Sequence, residues 1–171
     1  MKVVNTVTKG TLGKNLDLAA IAIMLKHPQA VKITHQTKQP EQLLIKFASG
    51  NTMIIFKTGS FRMMGKDDSL ESHYNIYEII AQFSGDVPEV FTQTMTVCHN
   101  FAHKINLVEL SKESLTTYTA EHFPAVQIRV FHPIHINIFS SGKVTLTGVK
   151  CESELPILLT FLNNLVYKYF M

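Results

Sequence analysis

Apolar and polar residues alternate with period two through much of the chain, and a few segments carry the wider spacing of helices. Side chains of a strand point alternately to its two faces, so this alternation predicts strands at KVVNTVTK, AVKITH, LLIKF, NTMIIF and SFRMM in the first half. After the first of these, Gly13 leads into LDLAAIAIMLKH, where Leu16, Leu18, Ile21, Ile23 and Leu25 predict a well-buried helix that stops before Pro28. A helix-like run from about Asp68 to Phe83 closes the half, with Asp67 and Asp68 as acids favoured by the positive end of its dipole. The second half repeats the order. TQTMTVCHNF is followed by a mixed segment with Ile105, Leu107 and Leu110, then by VQIRVF, IHINIF and KVTLTG, and by a final helix from about Glu152 to Tyr169.

The repetition is sharpest between residues 54–69 (IIFKTGSFRMMGKDDS) and residues 137–153 (NIFSSGKVTLTGVKCES). Phe56 pairs with Phe139, Gly59 with Gly142 and Gly65 with Gly148, each 83 residues apart. Gly59 and Gly142 sit in short connections between apolar runs, where a positive φ closes a hairpin. Gly65 and Gly148 are expected to end strands just before helices. Solenoids need at least three short repeats, so two copies of roughly 85 residues predict a pseudo-twofold domain made of residues 1–86 and 87–171.

Strand parity then separates two faces. In the second half Ile134, Ile136, Ile138, Val144 and Leu146 share one face, the one for helices to cover, and His135, Asn137, Phe139, Thr145 and Thr147 share the other. In the first half Met53, Ile55, Phe61 and Met63 are expected inward, with Thr52, Ile54, Phe56, Arg62 and Met64 on the open face. An open face carrying Ile54, Phe56, Met64 and Phe139 is more apolar than solvent alone favours, which marks a binding surface.

Composition narrows the class. With 46% hydrophobic and 17% charged residues the chain is too apolar for disorder and too poor in charge for a coiled coil. The longest apolar run, Leu18 to Leu25, falls far short of the roughly 20 residues of a membrane span. The N-terminus turns polar too soon for a signal peptide, and Cys98 and Cys151 build no disulfide framework, so the chain reads as intracellular. The net charge of +3 lies wholly in the first half: residues 1–86 hold ten Lys/Arg against seven Asp/Glu, and residues 87–171 hold six of each. His99 with His103, and His132 with His135, have spacings too weak to imply a metal. Neither cysteine has the histidine context of a nucleophile, so no catalytic residue, metal or cofactor is assigned.

One stretch carries a family pattern. Residues 118–150, YTAEHFPAVQIRVFHPIHINIFSSGKVTLTGVK, resemble the second repeat of the TATA-box-binding-protein family: a tyrosine, an acidic stirrup, Phe-Pro, an Arg-bearing strand, then IF-x-SGK-x-x-x-TG-x-K. Residues 3–18, VVNTVTKGTLGKNLDL, are similar to that family's opening strand and helix entry. The resemblance implies an α+β saddle in which two pseudo-symmetric repeats form one curved antiparallel sheet with helices on its convex face. The concave face would bind the DNA minor groove, where apolar wedges partly unstack base steps and kink the duplex.

Carried over residue by residue, the wedges are Phe56, Phe123 and Phe139, with Leu43 at the fourth position where the family has Phe. The groove-floor residues are Asn5, Val7, Thr94, Thr96, Ile54, Arg62, Asn137, Thr145 and Thr147, and the phosphate contacts are Arg129, Lys143 and Lys150, with Lys46 at a matching strand position. Ser60 and Asp67 stand where lysines are expected. Glu121 keeps the acidic stirrup that meets a general transcription factor of the IIB type, whereas Thr119 and His122 depart from it. The resemblance thus implies a transcription initiation factor, not an enzyme, that binds and bends A·T-rich promoter DNA and recruits the polymerase machinery. Its partners are duplex DNA and that machinery, with no small-molecule substrate and no membrane. Its location is the nucleus, or the cytoplasm for an archaeal or cytoplasmic viral source. Thr94 in place of Asn, together with Arg62 and Leu43, favours an alternative: a scaffold acting mainly through protein contacts, with weak or non-TATA DNA binding. A third class, an enzyme domain on a similar sheet, lacks a catalytic constellation. The degree of departure leans toward a viral or protist version, with archaeal and cellular eukaryotic sources open.

Overall fold

The computed structural model describes residues 1–66 and 70–171, so Asp67 and Asp68 and the proposed dipole contact lie outside the described residues. The described chain forms two compact units, an N-terminal one of Asn5–Gln93 and a C-terminal one of Met1–Val4 with Thr94–Met171.

The N-terminal unit contains β1 (Lys2–Thr11, from Asn5 onward), α1 (Leu18–Met24), β2 (Ala30–Gln36), β3 (Gln42–Phe47), β4 (Thr52–Phe56), β5 (Ser60–Gly65) and α2 (Leu70–Ala81). Its strands run antiparallel in the order β2-β3-β4-β5-β1. Leu43, Ile45, Met53, Ile55, Phe61 and Met63 project from one face of this sheet and pack with Leu18, Ile21 and Leu25, beside α1, and with Ile76, Ile79 and Ile80 of α2. Asp17 starts α1 by accepting the Ala20 N–H at 3.0 Å, the usual service of a carboxylate at a helix N-terminus. The helix is only seven residues long and buries Leu18 and Ile21, while Ile23, expected inside, is 83% exposed. In a stretch apolar on every side the spacing does not choose a face, and the chain turns out of helix at Leu25.

The C-terminal unit contains β6 (Val90–Asn100, from Thr94 onward), α3 (Leu107–Leu110), β7 (Thr116–Thr117), β8 (Ala125–Phe131), β9 (Ile134–Phe139), β10 (Lys143–Val149) and α4 (Leu155–Val166). The strand order is β6-β10-β9-β8-β7. Its interior is Val97, Val126, Ile128, Ile136, Ile138, Val144 and Leu146 against Leu110 of α3 and Leu158, Leu162 and Val166 of α4. The inward and outward sets expected from parity are the ones observed in both units.

The same hydrogen bonds recur in each unit. Gly59 and Gly142, at φ +82° and +85°, close their hairpins by donating to Phe56 O at 2.9 Å and Phe139 O at 3.0 Å. Leu12 N donates to Gly59 O as Phe101 N does to Gly142 O, and Leu16 N to Lys57 O as Ile105 N does to Ser140 O. A Cβ at either glycine would run into a backbone carbonyl, Lys14 O in one unit and His103 O in the other, so a side chain is excluded on steric as well as dihedral grounds. Asn106 caps α3 through the Glu109 N–H as Asp17 caps α1. The third glycine pair differs: Gly65 ends β5, whereas Gly148 lies inside β10 at an irregularity between Thr147 and Val149, with φ +89°. A bulge there bends the strand without ending it.

Candidate nucleic-acid interface

Each unit leaves one sheet face free of helices. In the N-terminal unit the cross-strand register lays out this face in rows. Thr34, Leu44, Ile54, Arg62 and Lys9 form one row, and Lys32, Lys46, Thr52, Met64 and Val7 form the next. Phe56 lies beyond them opposite Gln42. Asn5, Val7, Ile54, Phe56 and Met64 are half-buried and Arg62 is exposed, its guanidinium carbon 5.8 Å from the centre of the Phe56 ring. Parity along β3 brings Leu44 to this face as well.

Leu43 is a correction. It pairs with Ile55 and is 0% exposed, inside the cluster under α1 and α2, because it sits one residue out of phase with the open face. The matching residue of the C-terminal unit is Val126, which pairs with Ile138 and is equally buried. Counting from these pairs, Phe123 lies two residues before Ala125, the partner of Phe139, and Pro40 lies two before Gln42, the partner of Phe56. Pro40 therefore occupies the position equivalent to Phe123. Beside it a cavity of about 510 Å³ opens, lined by Pro40, Glu41, Phe56, Lys57, Ser60 and Arg62. Lys57 donates to Glu41 at 2.9 Å and His35 lies 3.0 Å from its other oxygen; these bonds hold the Glu41 carboxyl below its ordinary pKa.

On the C-terminal unit the Phe123 ring, 37% exposed, meets Phe139 edge-on at 6.1 Å between centres. Such a pair contributes about 0.5–1.5 kcal/mol beyond area burial and presents two rings as one ridge. The rest of the face is polar. Thr117, Gln127, Asn137, Thr145 and Cys98 follow one another across five strands, with Asn137 donating to Thr145 at 3.4 Å. His135, Thr147 and Thr96 form the adjoining row, and Thr94 continues along β6. Arg129 is exposed and donates to Gln127 at 3.1 Å, which holds its fork over this face. Lys143, the first residue of β10, and Lys150, just past its last, are both exposed. Glu121 is exposed in the turn before β8, where Phe123 N donates to Thr119 O at 3.0 Å. His99 is partly buried, and burial followed by the nearby chain amino terminus lowers its pKa.

The structure therefore groups Asn5, Val7, Ile54, Phe56 and Arg62 on one open face and Thr94, Thr96, Phe123, Arg129, Asn137, Phe139, Lys143, Thr145 and Thr147 on another. Lys9, Lys32, Leu44, Gln127 and His135 join them. Their signal was present as strand parity, but which strands are neighbours is not written in local sequence.

Comparison with known proteins agrees. Residues 90–169 match the family model described as Transcription factor TFIID (or TATA-binding protein, TBP). The chain is 27% identical over 174 residues to a TATA-box-binding protein of Methanococcus aeolicus, covering 97% of this chain and 93% of that protein. It is 31% identical over 164 residues to the TATA-box-binding protein of Methanosphaera stadtmanae, covering 90% and 86%. The solved structure of Methanococcus jannaschii TBP matches with a TM-score of 0.80 at 26% identity, over 96% of both chains. These relatives are archaeal and lend no support to a nuclear location. With the α+β fold of that structure and a relative above 30% identity across most of both lengths, the chain belongs to the TATA-box-binding protein family of transcription factors.

Proposed function

We propose that the chain is a transcription initiation factor that lays its two open faces in the minor groove of A·T-rich promoter DNA and bends it. The observation that carries this reading is the aromatic relief of those faces: Phe56 on one, the Phe123–Phe139 ridge on the other, each clear of the helix-covered interior. A ring inserted at a base step replaces lost base stacking with its own contact, and the bent duplex then meets more protein surface. Asn5 and Val7 in one unit, and Thr94, Thr96, Ile54, Asn137, Thr145 and Thr147 across both, face the groove floor. Arg129, Lys143 and Lys150 meet phosphates, which gives the salt dependence of binding. Residues 1–86 and 87–171 act as homologous repeats, a reading supported by their matched hydrogen bonds. Glu121, in its exposed turn, contacts a IIB-type factor through which the polymerase machinery is recruited.

The test is energy transfer across doubly labelled A·T-rich and G·C-rich duplexes at two salt concentrations. The end-to-end distance shortens on the A·T-rich duplex, and the Phe56→Ala, Phe139→Ala double variant abolishes the shortening while its circular dichroism stays native. Equal binding to both duplexes with no distance change refutes bending and leaves a scaffold that works through protein contacts.

A further inference from the structure

Lys9 and Arg62 stand directly opposite each other in the β1–β5 ladder of the N-terminal unit. Like charges facing across a strand pair weaken a sheet, and among the described residues neither has a carboxylate at ion-pair distance. The two cations lean apart: Lys9 Nζ lies 5.0 Å from the centre of Phe91 and the Arg62 guanidinium carbon 5.8 Å from that of Phe56. Both side chains are donors only, with three N–H on the ammonium and five on the guanidinium.

Their position fixes what they would meet. Asn5, Val7 and Lys9 alternate along one face of β1, and Val7 pairs with Met64 as Lys9 pairs with Arg62. The cations thus extend the row that begins with Asn5 and Val7, the residues assigned to the groove floor. Lys32 and Lys46 stand apart on β2 and β3, at the other side of that unit's sheet. In the minor groove an A·T pair shows only acceptors, whereas a G·C pair adds the N2 amino donor of guanine. A donor-only pair is satisfied by the first edge and opposed by the second. The threonine hydroxyls of Thr94 and Thr96 both donate and accept, so they tolerate either edge.

We propose that Lys9 and Arg62 are a specificity-determining donor pair that reads acceptor-only base-pair edges in the minor groove, which concentrates A·T selectivity in the N-terminal unit. This rests on the minor-groove reading above. The probes are three labelled duplexes identical except for a central block of A·T, I·C or G·C pairs. Inosine lacks the N2 amino group, so I·C resembles A·T in the minor groove and G·C in the major groove. By anisotropy, wild type prefers A·T and I·C over G·C by about tenfold or more. The Lys9→Met, Arg62→Met double variant loses most of that preference, and Arg62→Lys, which keeps the charge without the fork, loses part of it. Equal weakening on all three duplexes, with a salt slope smaller by about 1.8 for two lost phosphate contacts, overturns the proposal, and so does unchanged binding. Energy transfer on the same duplexes separates the two readings. Discrimination by wild type without bending defeats bending alone, whereas bending with discrimination intact in the double variant defeats the donor pair alone.

Discussion

Leu43 and Phe56 sit on adjacent strands of one sheet and project to opposite faces, so truncating each to alanine separates interior from surface. Leu43→Ala removes three carbons from a site with no solvent exposure. At about 0.8 kcal/mol per carbon the transfer loss is about 2.4 kcal/mol, and the cavity left among Ile45, Ile55 and the helices brings the total to about 3 kcal/mol. With a urea slope of about 2 kcal/mol/M, the midpoint of the N-terminal unit falls by about 1.5 M. Phe56→Ala forfeits a half-exposed ring and its contact with Arg62, about 1 kcal/mol. In DNA bending the order reverses: Leu43→Ala bends like wild type under conditions where it is folded, and Phe56→Ala loses the distance change. Urea titration followed by circular dichroism, run beside energy transfer on the A·T-rich duplex, reads both. An unchanged midpoint for Leu43→Ala together with lost bending refutes the placement of Leu43 in the interior and restores it as a wedge.

Two further outcomes are expected. Lys46 faces Lys32 across β2 and β3, so Lys46→Glu replaces a repulsion with an attraction; the urea midpoint rises by the equivalent of about 0.2–1 kcal/mol while duplex affinity falls. Burial and the chain amino terminus lower the His99 pKa in the folded protein, so the unfolded chain binds the proton more readily. That contribution is complete above the ordinary histidine value near 6.5 and is lost as pH falls from there through the lowered value of the folded protein; His99→Asn flattens this limb of the stability profile measured by urea titration between pH 8 and 5.

Much of this was legible in the sequence, for reasons that differ by element. The strands around Met53, Ile55, Val144 and Leu146 have a period of two that only one burial pattern satisfies, and Gly59 and Gly142 announce hairpins because few other residues adopt their φ. Leu43 was misplaced because a motif count through the preceding loop does not fix cross-strand register; the pairing with Ile55 does. Ile23 failed because its helix is apolar all round. β7 is two residues long and leaves no pattern. The meeting of Lys9 with Arg62 depends on β5 lying beside β1, a contact between distant segments. Lys9, Lys32, Lys46 and Arg62, four of the ten cations of the first half, all emerge on the helix-free side.

Both unit boundaries fall inside strands: β1 begins in the C-terminal unit and ends in the other, and β6 does the reverse. Met1 and Val3 accordingly pack with the C-terminal interior and Val90 with the N-terminal one. A polypeptide severed after Asp86 yields two fragments, each holding a few residues that the other needs for closure. Neither copy of the duplicated sequence, cut at that boundary, carries the whole of its own interior.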